Sequence, residues 1–207
     1  MTPDQIEALF TRSDGTYAFA RWGRPIAPIV FGVTDEALSV IKGAWEAVAM
    51  LAGHTMAETD PQLGANVMMF FFHDWGELLE VPDLGRLIPN LDPMVAQLQS
   101  ADANQYRIFR FDDTGAIQAC FIFLRMDRVL SKQPAETLAL SQVVQSFLLW
   151  SDHAFQSESP LALAGERTVL RPDIANVIRA AYDPVMPATA NDPSHALRLS
   201  ARVSKHH

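Results

Sequence analysis

The chain has 207 residues, 49% of them hydrophobic and 19% charged, which suits one folded domain with a sizeable core and excludes a disordered polymer. A formal net charge of −8 repels phosphates, so neither nucleic acid nor an anionic membrane surface is expected as a partner. A single cysteine, Cys120, excludes an internal disulfide, and no apolar run reaches the roughly 20 residues of a membrane span, so no integral membrane segment is expected.

Residues 1–15 are polar and lack the apolar stretch of a signal peptide. The protein is therefore expected in the cytoplasm unless a signal has been removed. Lys205, His206 and His207 have the character of a tail and are set aside from metal reasoning. A single domain over 1–207 is expected, with its core over about 20–203.

Residues 3–11 suit a short helix. Residues 24–33, RPIAPIVFGV, read as an edge strand or a strand with one free side, because Pro25 and Pro28 cannot donate to a ladder. Thr34 then caps a helix with an acidic first turn, Asp35-Glu36. Leu38, Ile41, Trp45 and Val48 mark its buried face and Gly53 its stop. Asn66 to Phe72 is apolar throughout and predicts a central strand covered on both faces. Residues 73–93 read as an irregular connection with one helical turn near Trp75–Leu79, followed by a helix over 92–99. Residues 106–111 and 117–125, joined through Asp112-Asp113-Thr114-Gly115, form the clearest hairpin. The second arm is apolar on both faces and contains Cys120, read as a small buried hydrophobe.

A long helix over 134–152 follows, expected to pack Leu140, Val144 and Phe147 against strand 117–125. Residues 153–171 read as a loop. Helices are expected from Pro172 to Tyr182 and from Asp192 to about Val203. The order predicts an α+β fold, a mixed sheet of four to five strands backed by helices, with further helices at the C-terminus.

The polar letters on the long helix carry the functional question. Ser141, Gln145 and Asp152 fall on one side at about 100° per residue, with Gln142 beside them. A zinc protease places His-Glu-x-x-His here, two imidazoles one turn apart to hold the metal and a carboxylate to activate water. This chain has Ser141, Gln142 and Gln145, which offer neither imidazole nor carboxylate. No zinc, cofactor or catalytic residue is therefore expected. Among the other histidines, His54, His73, His153 and His195, no pair has helical ligand spacing, and the adjacent pairs His73-Asp74 and Asp152-His153 read as exposed or capping residues. Gly-x-Ser-x-Gly, Gly-x-Gly-x-x-Gly and the phosphate-loop pattern do not occur. Asp152, at a helix C-terminus where a carboxylate is unfavourable, calls for compensation from Arg171, Arg167 or backbone donors in the following loop.

Several of these letters together resemble an uncharacterised bacterial domain family, itself similar to degenerate zincin metallopeptidases. They are Arg21-Trp22 with Pro25-Ile26, Asn66-Val67 at the central strand, Gln145, Leu149 and Asp152 on the helix, and Tyr182-Asp183-Pro184. The chain departs from the family where two Glu are replaced by Ser141 and Gln142, a Gly by Leu148 and an Asn by Ser151, and where Thr189-Ala190 stands for Gly-Met. The resemblance implies a zincin-like fold with a buried former active-site helix and, because relatives are often exported, a periplasmic or secreted location if a signal has been removed. It also implies a vestigial groove at Ser141, Gln142, Gln145, Ser151 and Asp152. The function implied is that of a non-catalytic pseudo-metallopeptidase that binds a peptide, a protein or a small molecule. A hydrolase with a metal-independent site is the alternative, and a structural homo-oligomer a third reading.

Overall fold

The computed structural model describes residues 1–204; the terminal Lys205, His206 and His207 lie outside the described residues. In chain order the elements are α1 (Pro3–Ala8), β1 (Phe19–Ala20), β2 (Pro28–Phe31), α2 (Asp35–Ala52), β3 (Val67–Phe72), α3 (Glu77–Glu80), α4 (Leu84–Leu87) and α5 (Leu91–Ser100). They continue with β4 (Gln105–Phe111), β5 (Ile117–Arg125), α6 (Ala135–Phe147), β6 (Leu161–Ala164), β7 (Arg167–Leu170), α7 (Pro172–Ala181), β8 (Thr189–Ala190) and α8 (Ser194–Val203).

The main sheet has the order β2-β3-β5-β4. Strands β2, β3 and β5 run parallel, and β4 is antiparallel at one edge. The expected mixed α+β sheet is therefore present. The proline-bearing segment forms the opposite edge, where the missing N–H of Pro28 costs no ladder bond.

Alternation along the two central strands builds two cores. Val67, Met69, Cys120, Ile122 and Leu124 face α2, α6 and α7, whereas Phe70, Phe72, Phe121 and Phe123 face α3, α4 and α5. Helices thus cover both faces, as the continuous apolar runs require. The larger core also reaches N-terminal of residue 20, through Ile6, Phe10 and Tyr17, all buried.

Helix α2 begins where Thr34 Oγ1 accepts the Ala37 N–H (3.3 Å) and ends at Gly53, whose φ of 64° is the left-handed conformation glycine adopts freely. The side chain of Asn66 staples the start of β3 to the segment before β2. It accepts from Ala27 N (2.8 Å) and donates to Pro25 O (2.8 Å) and Asp60 Oδ2 (3.1 Å).

Three expectations need correction. The helix expected over 134–152 stops at Phe147, because Leu148 is extended (φ −132°, ψ 158°) and bridges Arg21. The next residues bond to the N-terminal segment, Leu149 N to Ala20 O (2.9 Å) and Ser151 N to Leu9 O (2.8 Å). Residues 153–171 are not all loop: β6 and β7 form a hairpin turning at Gly165, too short and too exposed to leave a periodic signal. Residues 73–93 hold two short helices, α3 and α4, rather than one turn.

The last carbonyls of α6 meet an unusual set of donors. Trp150 Nε1 donates to Val144 O (2.9 Å), Trp22 Nε1 to Ser146 O (3.0 Å) and the Tyr182 hydroxyl to Phe147 O (2.9 Å). The same hydroxyl accepts the Trp22 N–H (3.3 Å), and Arg21 lies 5.3 Å over the Tyr182 ring. Helix ends leave carbonyls unsatisfied, and burial makes each one expensive, so Trp150 just beyond the helix and Trp22 and Tyr182 from distant segments serve as the C-terminal cap. Burial raises the Tyr182 pKa, keeping its proton available to Phe147.

Replacing Tyr182 with Phe keeps the ring and removes the shared hydroxyl, leaving the Phe147 carbonyl and the Trp22 N–H unpaired. The expected loss is about 1–3 kcal/mol of stability, read from the denaturant midpoint. An unchanged midpoint would show that the cap is redundant.

A second expectation comes from His195, which is fully buried with Nδ1 2.7 Å from the Tyr17 hydroxyl and with Nε2 lacking a partner. Burial, helped by Arg198, lowers its pKa from 6.5 to about 4. The unfolded chain then binds more protons between pH 6.5 and 4, so stability falls with pH through that window and levels off below it. His54, lowered by burial as well, acts with the same sign. The melting temperature of His195→Gln is expected to drop less between pH 6.5 and 4 than that of the parent.

Candidate functional site

Helix α6 lies beneath β5 and β4. The Ser146 hydroxyl contacts the Cys120 thiol, whose burial pushes its pKa up to about 12, so Cys120 is an inert core residue. Gln142 is 2% exposed and reaches β4. Its Nε2 donates to Gln105 Oε1 (3.0 Å), and its Oε1 accepts from Arg107 Nη2. Both ends of the amide are thus engaged in tying helix to strand.

One turn along, Gln145 Nε2 donates to Ser141 Oγ (2.9 Å), which places these two side chains together on one face of the helix. Gln145, Ser151 and Asp152 line a common hollow of about 340 Å³ with Gln105, Arg107 and Phe155. A neighbouring hollow of about 560 Å³ shares Tyr106, Arg107, Phe109, Trp150 and Asp152 and extends to Arg12 and Asp14. The two are lobes of one groove between β4 and residues 148–155. Of the five groove residues expected from sequence, Gln145, Ser151 and Asp152 meet there. Ser141 sits behind Gln145, and Gln142 forms part of the supporting wall.

Asp152 is not on α6, and neither Arg171 nor Arg167 compensates it. Arg171 pairs with Asp173 (2.5 Å) and Glu158 (2.7 Å), and Arg167 is exposed on β7. Asp152 instead accepts from Ser13, through the hydroxyl and the backbone N–H (2.9 Å), and contacts His153 Nδ1 (3.3 Å). The partner lies 139 residues upstream, beyond the reach of local reading. Ser151 bonds Ala8 O (3.3 Å), anchoring the same loop to α1.

Sequence reasoning passed over Arg107, the most telling residue here. Its Nε is buried without a partner. Among the described residues its only hydrogen bond runs to Gln142, and no carboxylate lies within ion-pair distance. Burial lowers its pKa to about 10. A guanidinium has five N–H donors, and Gln142 is the one acceptor that the described residues offer this one. The available signal was an arginine at alternate spacing in a strand, Gln105, Arg107, Phe109, on the side facing the helix.

The outer side of β4 is also open. Arg125 N donates to Asn104 O (2.9 Å), so the bonded pairs with β5 run through the even positions, and Gln105, Arg107 and Phe109 direct their backbone groups away from the sheet. On the other face of β4, Tyr106, Ile108 and Arg110 border a further hollow of about 450 Å³ against α5.

Among the described residues no group of three or more His, Cys, Asp or Glu side chains is placed to hold a metal ion. No helix among them is long and apolar enough to cross a membrane. Comparison with family models, with curated proteins and with solved structures finds no match to this chain.

The Ser13 bonds lower the Asp152 pKa from 3.8 to about 2. A depressed carboxyl pKa contributes stability above the unfolded value and loses it as pH falls toward the folded one. The Asp152 carboxyl resonance is expected to titrate near pH 2, with the Ser13 amide following the same midpoint. A midpoint near 3.8 would mean that the Ser13 anchor is not formed in solution.

Proposed function

We propose that the protein is a non-catalytic binding module, a pseudo-metallopeptidase whose groove beneath β4 receives an extended peptide. The observation that carries this reading is the open edge of β4, with hollows on both faces. An added strand would bond to the backbone of Gln105, Arg107 and Phe109 and drop alternate side chains to either side. Gln142 supports the non-catalytic part. It stands where the water-activating carboxylate of a zinc protease would be, and both its amide atoms bind β4 instead. The reading of α6 as a former metal-binding helix rests on the one-turn spacing of Ser141 and Gln145.

Hydrogen exchange tests the groove. The Gln105, Arg107 and Phe109 amides should exchange quickly in the free protein. Saturating acetyl-Val-Thr-Phe-amide should slow them and leave the peptide intact by mass spectrometry. Unchanged exchange at all three positions would reject strand addition, and cleavage would reject the non-catalytic reading.

The helix itself is tested by gain of function. Ser141→His with Gln145→His should bind zinc more tightly than the parent in competition with a chromogenic chelator, two imidazoles one turn apart being a zinc clamp. A folded double variant with parental zinc affinity would reject the metallopeptidase descent of α6.

A further inference from the structure

We propose that Arg107 is a carboxylate-capture residue, so that the ligand of the groove is an extended peptide presenting a carboxylate next to an apolar side chain. This rests on the binding-groove reading above and adds what the groove selects.

The argument begins with charge. A half-buried cation whose Nε is shut off from water is favoured by a counter-charge, and folded chains often supply one from within. Four half-buried arginines have such a partner, Arg24 with Asp60, Arg125 with Asp102, Arg171 with Asp173 and Arg202 with Asp183, whereas Arg21, Arg110 and Arg179 bond only carbonyl or amide oxygens and line neither lobe of the groove. Arg107 has a neutral amide, Gln142, which fixes one edge of its guanidinium, and it lines both lobes of the groove with its Nε unpartnered.

The groove's own carboxylates are otherwise engaged. Asp152 is held by Ser13 and His153, and Asp14 accepts from Thr16 N (2.8 Å). The other cation bordering the groove, Arg12, is exposed and lies toward the far lobe with Asp14. Within the groove, the cation left without a carboxylate among the described residues and with an unpartnered Nε is Arg107.

Shape narrows the anion. A guanidinium matches a carboxylate through two parallel N–H···O bonds, and an arginine held by its neighbour loses little freedom in making them. Phe109, Trp150 and Phe155 border the same lobes, so the atoms beside the carboxylate meet aromatic walls. Gln105 contributes a further donor, because only its oxygen is used by Gln142. The carboxylate can come from a peptide C-terminus or from an acidic side chain. Both present the same group to Arg107.

The test compares acetyl-Val-Thr-Phe as the free acid, the same peptide as the amide, and acetyl-Val-Asp-Phe-amide, by calorimetry and by chemical-shift titration. One or both carboxylate peptides should bind at least about tenfold more tightly than the neutral amide. The free acid winning assigns the C-terminus as the source, and the Asp peptide winning assigns the side chain. Arg107→Met should remove the preference, and Arg107→Lys, which keeps the charge without the fork, should retain only part of it. Should Arg107→Met unfold through loss of its bond to Gln142, Gln145→Glu supplies the second arm. It places a carboxylate in the same lobe, and the preference should fall with Arg107 untouched.

Equal affinity for the three peptides, with shifts along β4, would overturn carboxylate capture and leave the binding groove standing. Absence of binding by all three would overturn both. Phenyl phosphate binding more tightly than either carboxylate peptide would overturn the choice of anion.

Discussion

The C-terminus of α6 is the constraint on which the rest of the structure depends. A buried helix end exposes carbonyls that water cannot reach, and here Trp22, Trp150 and Tyr182 supply the donors. Each comes from a different segment, so forming the cap brings together the chain before β2, the loop after α6 and the end of α7. The Trp22 backbone N–H completes the set by bonding the hydroxyl that caps Phe147. One cluster of neutral hydrogen bonds thereby sets where the helix stops and where residues 148–155 travel afterwards.

That path creates the groove. Because Leu148 is extended rather than helical, Leu149 and Ser151 bond to the N-terminal segment, and Asp152 reaches Ser13. The loop therefore runs alongside the free edge of β4 instead of covering it. On the opposite wall, Gln142 joins α6 to β4 and fixes Arg107. The groove's walls are positioned for separate reasons: one is set by the aromatic cap, the other by an amide bridge. Pre-set walls and an unpaired sheet edge suit recognition of an extended chain, since little order has to be created on binding.

Much of the sheet was legible because its strands are apolar on both faces. Val67–Phe72 and Ile117–Arg125 lie where their continuous runs indicate, and Pro28 opens an edge strand as the missing donor demands. Thr34 and Gly53 bound α2 through local chemistry, so neighbouring letters sufficed. The hairpin β6–β7 and the pair β1–β8 escaped, being only four and two residues per strand. Within the site, the pairing of Ser141 with Gln145 follows from helical spacing alone. The placement of Asp152 did not, because apolar periodicity continues past the point where tertiary donors end the helix.

The sequence by itself determined the two-faced central strands, the capped α2, the β4–β5 hairpin and the absence of imidazole and carboxylate from positions 141, 142 and 145 of α6. These are properties of composition and short-range spacing. Tertiary structure alone decided the stopping point of α6, the Ser13 partner of Asp152, the burial of His195 and the unpaired guanidinium of Arg107. Each depends on which groups meet across more than 30 residues of chain, as the separations of 35 for Gln142 with Arg107 and 139 for Asp152 with Ser13 illustrate. Hydrogen-bond demand is local, but the partner that meets it is fixed only by packing.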